Sequence, residues 1–263
     1  MRVMRARKLN KQMESAPLGS IVATFSDHGC YTWKAAISQQ NVILLKAALE
    51  KAIQIEKSFH RESDDPCQVV CCPVYDDIFL NVLRGELFSV VDALLGEAAI
   101  LYSYNNSTML PGKGNFSSKI HVERSYSTGN YLEMLGMMIL LDDFTVDNGA
   151  TWYLPGSQRV DERPDQTDFY QKAERLIAPS GSVFLFHPRL WHAGGINHTA
   201  EKRHALSIGF CQPYMKQRID LVALLAGQKK DFSIDIKQKI GFYAKPPSTI
   251  ADFYVKKSVW NGS

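Results

Sequence analysis

The chain has 263 residues, enough for one large domain or two small ones, and no shift in composition marks a boundary between two. Apolar residues make up 45% of it and charged residues 22%, as in ordinary globular proteins, so we expect a sizeable core. The net charge of +3 comes from interspersed basic and acidic residues, which excludes an extended cationic face for nucleic acid.

The sequence also lacks the marks of a membrane or secreted protein. No apolar run reaches the roughly 18 residues of a membrane span. The basic residues 1–8 are followed by no apolar segment, and Glu14 comes soon after, so a solvated tail fits better than a secretory signal or a mitochondrial presequence. Five cysteines, an odd number, indicate a reducing compartment, and we expect a cytoplasmic protein.

In chain order, the first elements are a lead-in, a strand and a helix. Residues 1–20 are predicted to be a loose lead-in, and residues 29–37 are typical of a β-strand. From Gln40 to about Phe59 apolar residues recur at helical spacing, with Ser38 as the predicted N-cap. Between this helix and the next, Cys67, Cys71 and Cys72 could suggest a zinc cluster, but no second ligand pair follows at usable spacing.

A second helix is predicted over residues 77–95, and Gly96 suits its end because glycine accepts the left-handed conformation. After Gly96 the pattern changes to short runs rich in aliphatic, aromatic and β-branched residues, separated by turn residues. The predicted strands cover residues 99–104, 134–141, 151–154, 182–186 and 205–211. The chain is therefore predicted to be mainly β with flanking helices, with a sandwich or barrel over about residues 97–212.

We expect one domain over residues 21–263. Residues 161–172 are polar and are predicted to pass over the mouth of the barrel. Residues 213–263 form a C-terminal extension with one predicted helix at residues 219–225.

Three residues of the barrel segment could hold a metal ion. His121 and Glu123 are two apart, so on a strand their side chains would project to the same face. His192 follows the predicted strand 182–186, in a segment where the chain is expected to turn and run back along that strand. A His-x-Glu tripeptide alone is more often a surface feature. With His192 it gives two imidazoles and a carboxylate with open positions, the facial triad that suits non-haem Fe(II).

Arg203, eleven residues after His192, is a candidate ligand-binding residue. Arg203 stands at the entry to the apolar run 205–211, where burial is costly unless the charge is paired. Its planar fork suits bidentate binding of a carboxylate. The plain alternative is a rim arginine paired with an acidic residue. Next to the triad, we favour a role in holding the far carboxylate of a dicarboxylate cosubstrate.

Other histidines compete for the third ligand position. His187 precedes Pro188 and is expected to help form a turn. His198 and His204 lie in polar surroundings and are expected to be solvated or structural.

Residues 140–158 and 181–192, together with His192 and Arg203, resemble the phytanoyl-CoA dioxygenase family of Fe(II)/2-oxoglutarate oxygenases. The likeness extends over about residues 25–212. It implies a double-stranded β-helix (a cupin-like jelly roll) with Fe(II) on His121, Glu123 and His192 and 2-oxoglutarate on Arg203. It also implies a hydroxylase of the kind used in biosynthesis, which oxidises a small metabolite with O2 and releases succinate and CO2.

The sequence departs from the family pattern at two positions. The first motif is usually His-x-Asp, whereas here the carboxylate is Glu123, one methylene longer. Gly194 stands where a hydroxyl residue often assists the arginine, and Thr151 is expected to substitute for it. Either Asn105 or Asn106 is expected to bind the other end of 2-oxoglutarate.

The substrate is less well indicated. Trp152 is a candidate for the substrate wall and Arg124 for a contact with an anionic or polar small molecule. Two alternatives remain open. One is a jelly roll with a decayed site that binds a ligand or partner, which Glu123 would favour. The other is a zinc or manganese site for hydrolysis or isomerisation. Iron-dependent consumption of 2-oxoglutarate would separate the oxygenase from both alternatives.

Overall fold

The computed structural model describes residues 18–61, 65–114, 116–226 and 232–254. Most of the predicted loose lead-in, residues 1–17, lies outside the described residues. Its last three residues are not loose, because helix α1 begins at Leu18 and runs to His28. Ile21 and Phe25, one turn apart, are buried in the main core and explain why the helix forms there.

Two antiparallel sheets form the centre of the molecule. The large sheet has the order β1-β6-β3-β8-β2, and its strands are β1 (Cys30–Trp33), β2 (Ile100–Met109), β3 (Met134–Leu140), β6 (Val183–Phe186) and β8 (Arg203–Cys211). The small sheet has the order β5-β4-β7, with β4 (Trp152–Tyr153), β5 (Glu174–Arg175) and β7 (His192–Ala193). The mainly β jelly-roll prediction is confirmed.

Helices cover the outer face of the large sheet. They are α1, α2 (Gln39–Glu56), α3 (Ile78–Asn81) and α4 (Glu86–Leu95), and the sequence continues with α5 (Gln166–Lys172), α6 (Leu221–Ala226) and α7 (Ile234–Lys239). The Ser38 cap is confirmed, since its hydroxyl accepts the Asn41 amide at 3.3 Å. The single helix predicted over residues 77–95 is wrong: Gly85, with φ of 77°, separates α3 from α4.

Strand alternation divides the core into two parts. On β6, Val183 and Leu185 face the helices, whereas Phe184 and Phe186 face the small sheet. On β8, Leu206 and its alternate neighbours likewise pack against the helices. The space between the two sheets is therefore a separate, smaller core, and it is here that the other face of β8 can present polar groups.

The described part of the C-terminal extension packs on the same body as the barrel. Leu221, Leu225, Ile236 and Ile240 belong to the main core. The ammonium group of Lys239 is buried and pairs with Asp92 of α4. The predicted helix at residues 219–225 corresponds to α6. Among the described helices, none has the length and apolar character needed to cross a membrane.

All five cysteines are buried as free thiols. Burial raises the pKa of the Cys30 and Cys71 thiols to about 12, so both stay protonated at neutral pH. Cys67, Cys71 and Cys72 are not among the groups that could hold a metal ion within the described ranges.

Candidate metal centre

The two candidate histidine ligands are joined through their backbones. His121 and His192 form an isolated antiparallel bridge in which each amide donates to the other residue's carbonyl at 3.0 Å. Residues paired in this way point their side chains to the same face of a sheet. The two imidazole rings accordingly lie 4.2 Å apart between their centroids. The spacing suggested that His121 lies in a strand. The structure instead places it in an isolated β-bridge outside the strands.

Each imidazole is oriented by a backbone carbonyl. Nδ1 of His121 lies 2.7 Å from the Lys119 carbonyl oxygen, and Nδ1 of His192 lies 2.8 Å from the Leu190 carbonyl oxygen. A carbonyl only accepts, so both Nδ1 atoms carry the proton. In the neutral form of each ring, Nε2 then keeps the lone pair with which histidine binds a metal.

Glu123 brings its carboxylate to these two nitrogens. Its Oε1 lies 3.8 Å from Nε2 of His121 and 3.6 Å from Nε2 of His192. Two ligands of one ion at bond lengths of about 2.0–2.2 Å are separated by no more than about 4.4 Å, and both distances meet this limit. The three residues are the only such group within the described residues, and their ligand atoms lie within 4.8 Å of one another.

The electrostatics of the triad follow from this contact. The neighbouring His121, and then His192, hold the pKa of the Glu123 carboxyl well below its usual value. Burial alone would lower the pKa of His121, but the Glu123 carboxylate and the Lys119 carbonyl outweigh it and raise the pKa. Without metal, Glu123 is thus an anion and His121 holds a proton more readily than an ordinary histidine. A divalent cation would replace that proton.

Arg203 lies in the same cavity as the triad, which we call the central cavity. Arg203 is the first residue of strand β8, where it pairs with Met109 of β2, and it is only 2% exposed. Its Nε and Nη1 have no hydrogen-bond partner among the residues that the structure describes. Burial lowers its pKa to about 10, against the opposing effect of Asp142. The rim-arginine alternative does not fit a guanidinium so deeply buried.

Asp142, the carboxylate whose charge acts on Arg203, is engaged by other groups. Asp142 uses one oxygen to pair with the ammonium group of Lys46 and the other to accept the His204 amide. A buried charge without a partner is costly, and such groups are normally satisfied by a ligand or water when the protein itself does not do so. The central cavity therefore presents a buried cationic group next to the triad.

The structure separates the two asparagines of β2. Both line the central cavity, but among the described residues Asn105 accepts only a long hydrogen bond, 3.4 Å, from the Cys71 amide. The Asn106 side chain is occupied by Val69, Cys67 and Thr108, at 2.7–2.8 Å. Asn105 is thus the better placed of the two for a ligand, and this assignment stays a prediction. Thr151 is buried and also lines the cavity, as its predicted role requires.

The two candidate substrate residues lie outside the central cavity. The Trp152 ring stacks under the Arg175 guanidinium at 4.4 Å and meets Tyr170 of α5 on the outer side of the small sheet. Arg124 pairs with Glu133 at 2.8 Å, and both side chains are only 18% exposed. Neither placement supports a direct contact with a substrate at the triad.

Several cavity residues were not predicted from the sequence. Met138 of β3, Phe186 of β6 and Ser207 of β8 all project into the cavity. The alternation of side chains along each strand could have predicted them, because each lies on the face opposite the residues that pack against the helices. Phe186 lies 5.3 Å from the His192 ring between centroids.

The remaining histidines have structural positions. Nδ1 of His187 accepts the Arg189 amide at 3.1 Å, as expected of a turn residue, and burial lowers its pKa to about 4. His204 is buried and links Thr108, at 2.9 Å, to Glu50, at 3.0 Å. His198 is exposed.

Comparison with known proteins agrees with this geometry. The sequence profile of the phytanoyl-CoA dioxygenase family matches residues 33–205, more than half of the chain. An uncharacterised protein of Mycobacterium tuberculosis is 31% identical over 188 residues, 68% of each chain. A probable alpha-ketoglutarate-dependent hypophosphite dioxygenase of Stutzerimonas stutzeri is 28% identical over 158 residues, 52% of this chain and 54% of that one.

A solved structure shows the same fold. The non-heme alpha ketoglutarate dependent carbocyclase SnoK from nogalamycin biosynthesis superposes with a TM-score of 0.59, over 74% of this chain and 83% of that chain. The two sequences are 22% identical, so this likeness concerns the fold.

Proposed function

Because the chain belongs to the phytanoyl-CoA dioxygenase family, an oxygenase family, we propose that it is an Fe(II)- and 2-oxoglutarate-dependent oxygenase. It hydroxylates, or otherwise oxidises, a small metabolite and releases succinate and CO2. His121, Glu123 and His192 hold the iron, and Arg203 holds the distal carboxylate of 2-oxoglutarate. The observation that carries this proposal is the buried guanidinium of Arg203 in the cavity of the triad, whose Nε and Nη1 have no hydrogen-bond partner among the described residues.

The donor set fits ferrous iron. Two neutral imidazoles and one carboxylate leave room on the ion for further ligands, the arrangement of non-haem Fe(II) oxygenases. When bound, Fe(II) supplies the oxidative chemistry with O2 and 2-oxoglutarate. The protein's contribution is to fix the ligand orientations, and the Lys119 and Leu190 carbonyls do so for the two imidazoles.

The cavity residues fix the position of the cosubstrate. Arg203 provides donors in a planar fork that matches a carboxylate, and Thr151 and Ser207 place hydroxyl groups on the same walls. Asn105 is the candidate for the end of the cosubstrate near the iron. Between these polar groups, Met138 and Phe186 provide apolar surface that keeps water from the reacting atoms.

The relatives support this class of activity and leave the substrate open. The Stutzerimonas relative is described as acting with alpha-ketoglutarate on hypophosphite, and SnoK as a carbocyclase. We propose for the present chain only the small-molecule oxidation, with an anionic or polar substrate as the working choice. The expectations of a cytoplasmic location and of no nucleic-acid or membrane partner stay predictions from composition.

The proposal is tested by measuring succinate formed from 2-oxoglutarate in air, with Fe(II) or Zn(II) added to metal-free protein. We expect succinate with Fe(II) only, and its loss in Glu123→Ala but not in Glu201→Ala, a matched change at an exposed carboxylate. Succinate formed equally by the Glu123→Ala variant would reject Glu123 as a ligand. Wild-type protein that neither forms succinate nor binds 2-oxoglutarate would reject the proposed function in favour of the decayed-site alternative.

A further inference from the structure

A buried aromatic ring lies directly against the cosubstrate arginine. The Cζ atom of Arg203 is 3.9 Å from the centroid of the Phe144 ring. Both residues are almost fully buried, at 2% and 1% exposure. At this distance a planar guanidinium is attracted to the face of the ring, and the attraction is strongest where water is excluded.

The ring is held in place from behind. The Phe144 backbone is bridged to Ala178, with amide-to-carbonyl distances of 2.8 Å and 3.3 Å. Its side chain packs in the core between the two sheets, with Leu140, Ala150 and Leu176. Phe144 is therefore a fixed surface, and the more flexible arginine must adapt to it.

Hydrogen bonds from Nε and Nη1 do not set the plane of the guanidinium in the described structure. Nε and Nη1 of Arg203 have no hydrogen-bond partner there, and Asp142 is occupied by Lys46 and the His204 amide. Stacking uses only a face of the guanidinium. Its N–H groups lie in its own plane, and Nε and Nη1, which have no partner among the described residues, can therefore still donate to a carboxylate.

We propose that Phe144 is a positioning residue that holds the Arg203 guanidinium in the plane required for bidentate binding of the distal carboxylate of 2-oxoglutarate. This inference rests on the proposed function, because it concerns the same cosubstrate. It adds a residue outside the cavity lining that sets the selectivity for a dicarboxylate. A ligand that lacks the distal carboxylate makes no use of Arg203 and is therefore insensitive to Phe144.

The test compares two 2-oxo acids on the anaerobic Fe(II)-loaded protein. 2-Oxoglutarate carries the distal carboxylate and 2-oxobutyrate does not, while both offer the same 2-oxo acid group to the metal. We expect Phe144→Leu to weaken 2-oxoglutarate binding roughly ten-fold and to leave 2-oxobutyrate binding unchanged. Phe144→Tyr, which keeps the ring, should restore 2-oxoglutarate affinity.

Phe210→Leu is the matched control. Phe210 lies on β8, is fully buried, and packs in the main core on the side of the helices. The same cavity-forming change there should lower the melting temperature without changing either affinity. If Phe144→Leu is too unstable, Phe144→Met replaces it, since the flexible methionine side chain can adapt to the space that the ring leaves.

Each outcome decides between the two proposals. Equal affinities of Phe144→Leu and Phe210→Leu for 2-oxoglutarate would overturn the role of Phe144, as would an equal loss for both 2-oxo acids. Wild-type protein that binds neither acid in the presence of Fe(II) would instead overturn the proposed function. A selective loss for 2-oxoglutarate that disappears in an Arg203→Lys background would establish that Phe144 acts through the arginine.

Discussion

At the metal end of the central cavity, formed by His121, Glu123 and His192, the side chains are already held in place by the protein itself. Both imidazoles donate to backbone carbonyls, and Glu123 has two imidazoles as neighbours. At the arginine end, Arg203 is more deeply buried but lacks hydrogen-bond partners for Nε and Nη1 among the described residues. The metal end is thus held by hydrogen bonds and charge contacts within the protein, whereas the arginine end has a ring contact and hydrogen-bond donors without partners among the described residues.

This difference teaches how stability and function are divided within one cavity. The triad sits where solvent still reaches, since the Glu123 side chain is 48% exposed, so its charges are partly screened in the absence of metal. Arg203, which is 2% exposed, lacks this screening by solvent, although it contacts the Phe144 ring. Strain of this kind is retained where a ligand later removes it, and substitutions that relieve it tend to stabilise the protein and weaken its function.

Removal of a ligand at the metal end should have the largest effect on activity. His192→Ala takes away one of three protein ligands and is expected to abolish Fe(II)-dependent 2-oxoglutarate turnover. His198→Ala, at an exposed histidine six residues further along, is the control and should keep wild-type turnover. Turnover retained by His192→Ala would show that the triad is misassigned, and succinate formation measures it directly.

Substitution at the arginine end should separate affinity from stability. Arg203→Met is expected to weaken 2-oxoglutarate binding roughly 100-fold, because the distal carboxylate loses its charged partner. The same change removes an unpaired buried charge, so the metal-free protein should gain roughly 1–3 kcal/mol of stability. Calorimetric titration and urea unfolding measure the two effects. A loss of stability would mean that Arg203 is satisfied in the free protein, and the contrast between the two ends would fail.

At the metal end, protons should compete with the metal ion for the His121 ring. The pKa of His121 is raised above its ordinary value of 6.5, so below that raised pKa the ring must release a proton before it binds metal. Metal affinity is then expected to rise as the pH increases through 6.5 and to level off above the raised pKa, by up to roughly ten-fold per unit. Titration with Mn(II) in this range checks the slope. In Glu123→Gln the rise should occur at lower pH, and a wild-type affinity independent of pH would contradict the assignment.

The two asparagines of β2 should give opposite and smaller effects. Asn105→Ala is expected to weaken 2-oxoglutarate binding roughly three- to ten-fold with little change in stability, because its amide has only one long hydrogen bond. Asn106→Ala leaves the Val69 amide and the Cys67 carbonyl unpaired and should cost roughly 1–3 kcal/mol of stability at unchanged affinity. The reverse pattern would show that Asn105 and Asn106 are assigned to the wrong faces of β2.

Which residues of β2 face the helices and which face the cavity could not be predicted from the sequence. A β-bulge between Leu101 and Ser103 shifts the register of β2. Leu101 and Tyr104, three apart, therefore share the helix-facing side, and Asn106 follows Tyr104 on it. Without the bulge, Asn105 would have shared the face of Leu101. A bulge depends on pairing with β8, which residue patterns within β2 do not encode.

The triad and Arg203 were more accessible to prediction because residue type and spacing carry their chemistry. Two imidazoles, a carboxylate and an arginine at the start of an apolar run restrict the function to few classes. The pairing that brings His121 to His192 across 71 positions, and the carbonyls that orient their rings, needed the structure. The same holds for Arg124, whose basic side chain suggested a substrate contact but pairs with Glu133.

The central claim is that one cavity binds both Fe(II) and 2-oxoglutarate, and anaerobic titration of metal-free protein with the two together tests it most directly. A weak visible charge-transfer band should appear only when both are present. It should be absent in His192→Ala and need far more 2-oxoglutarate in Arg203→Met. No band in folded wild-type protein, or a band unaffected by either substitution, would contradict the account.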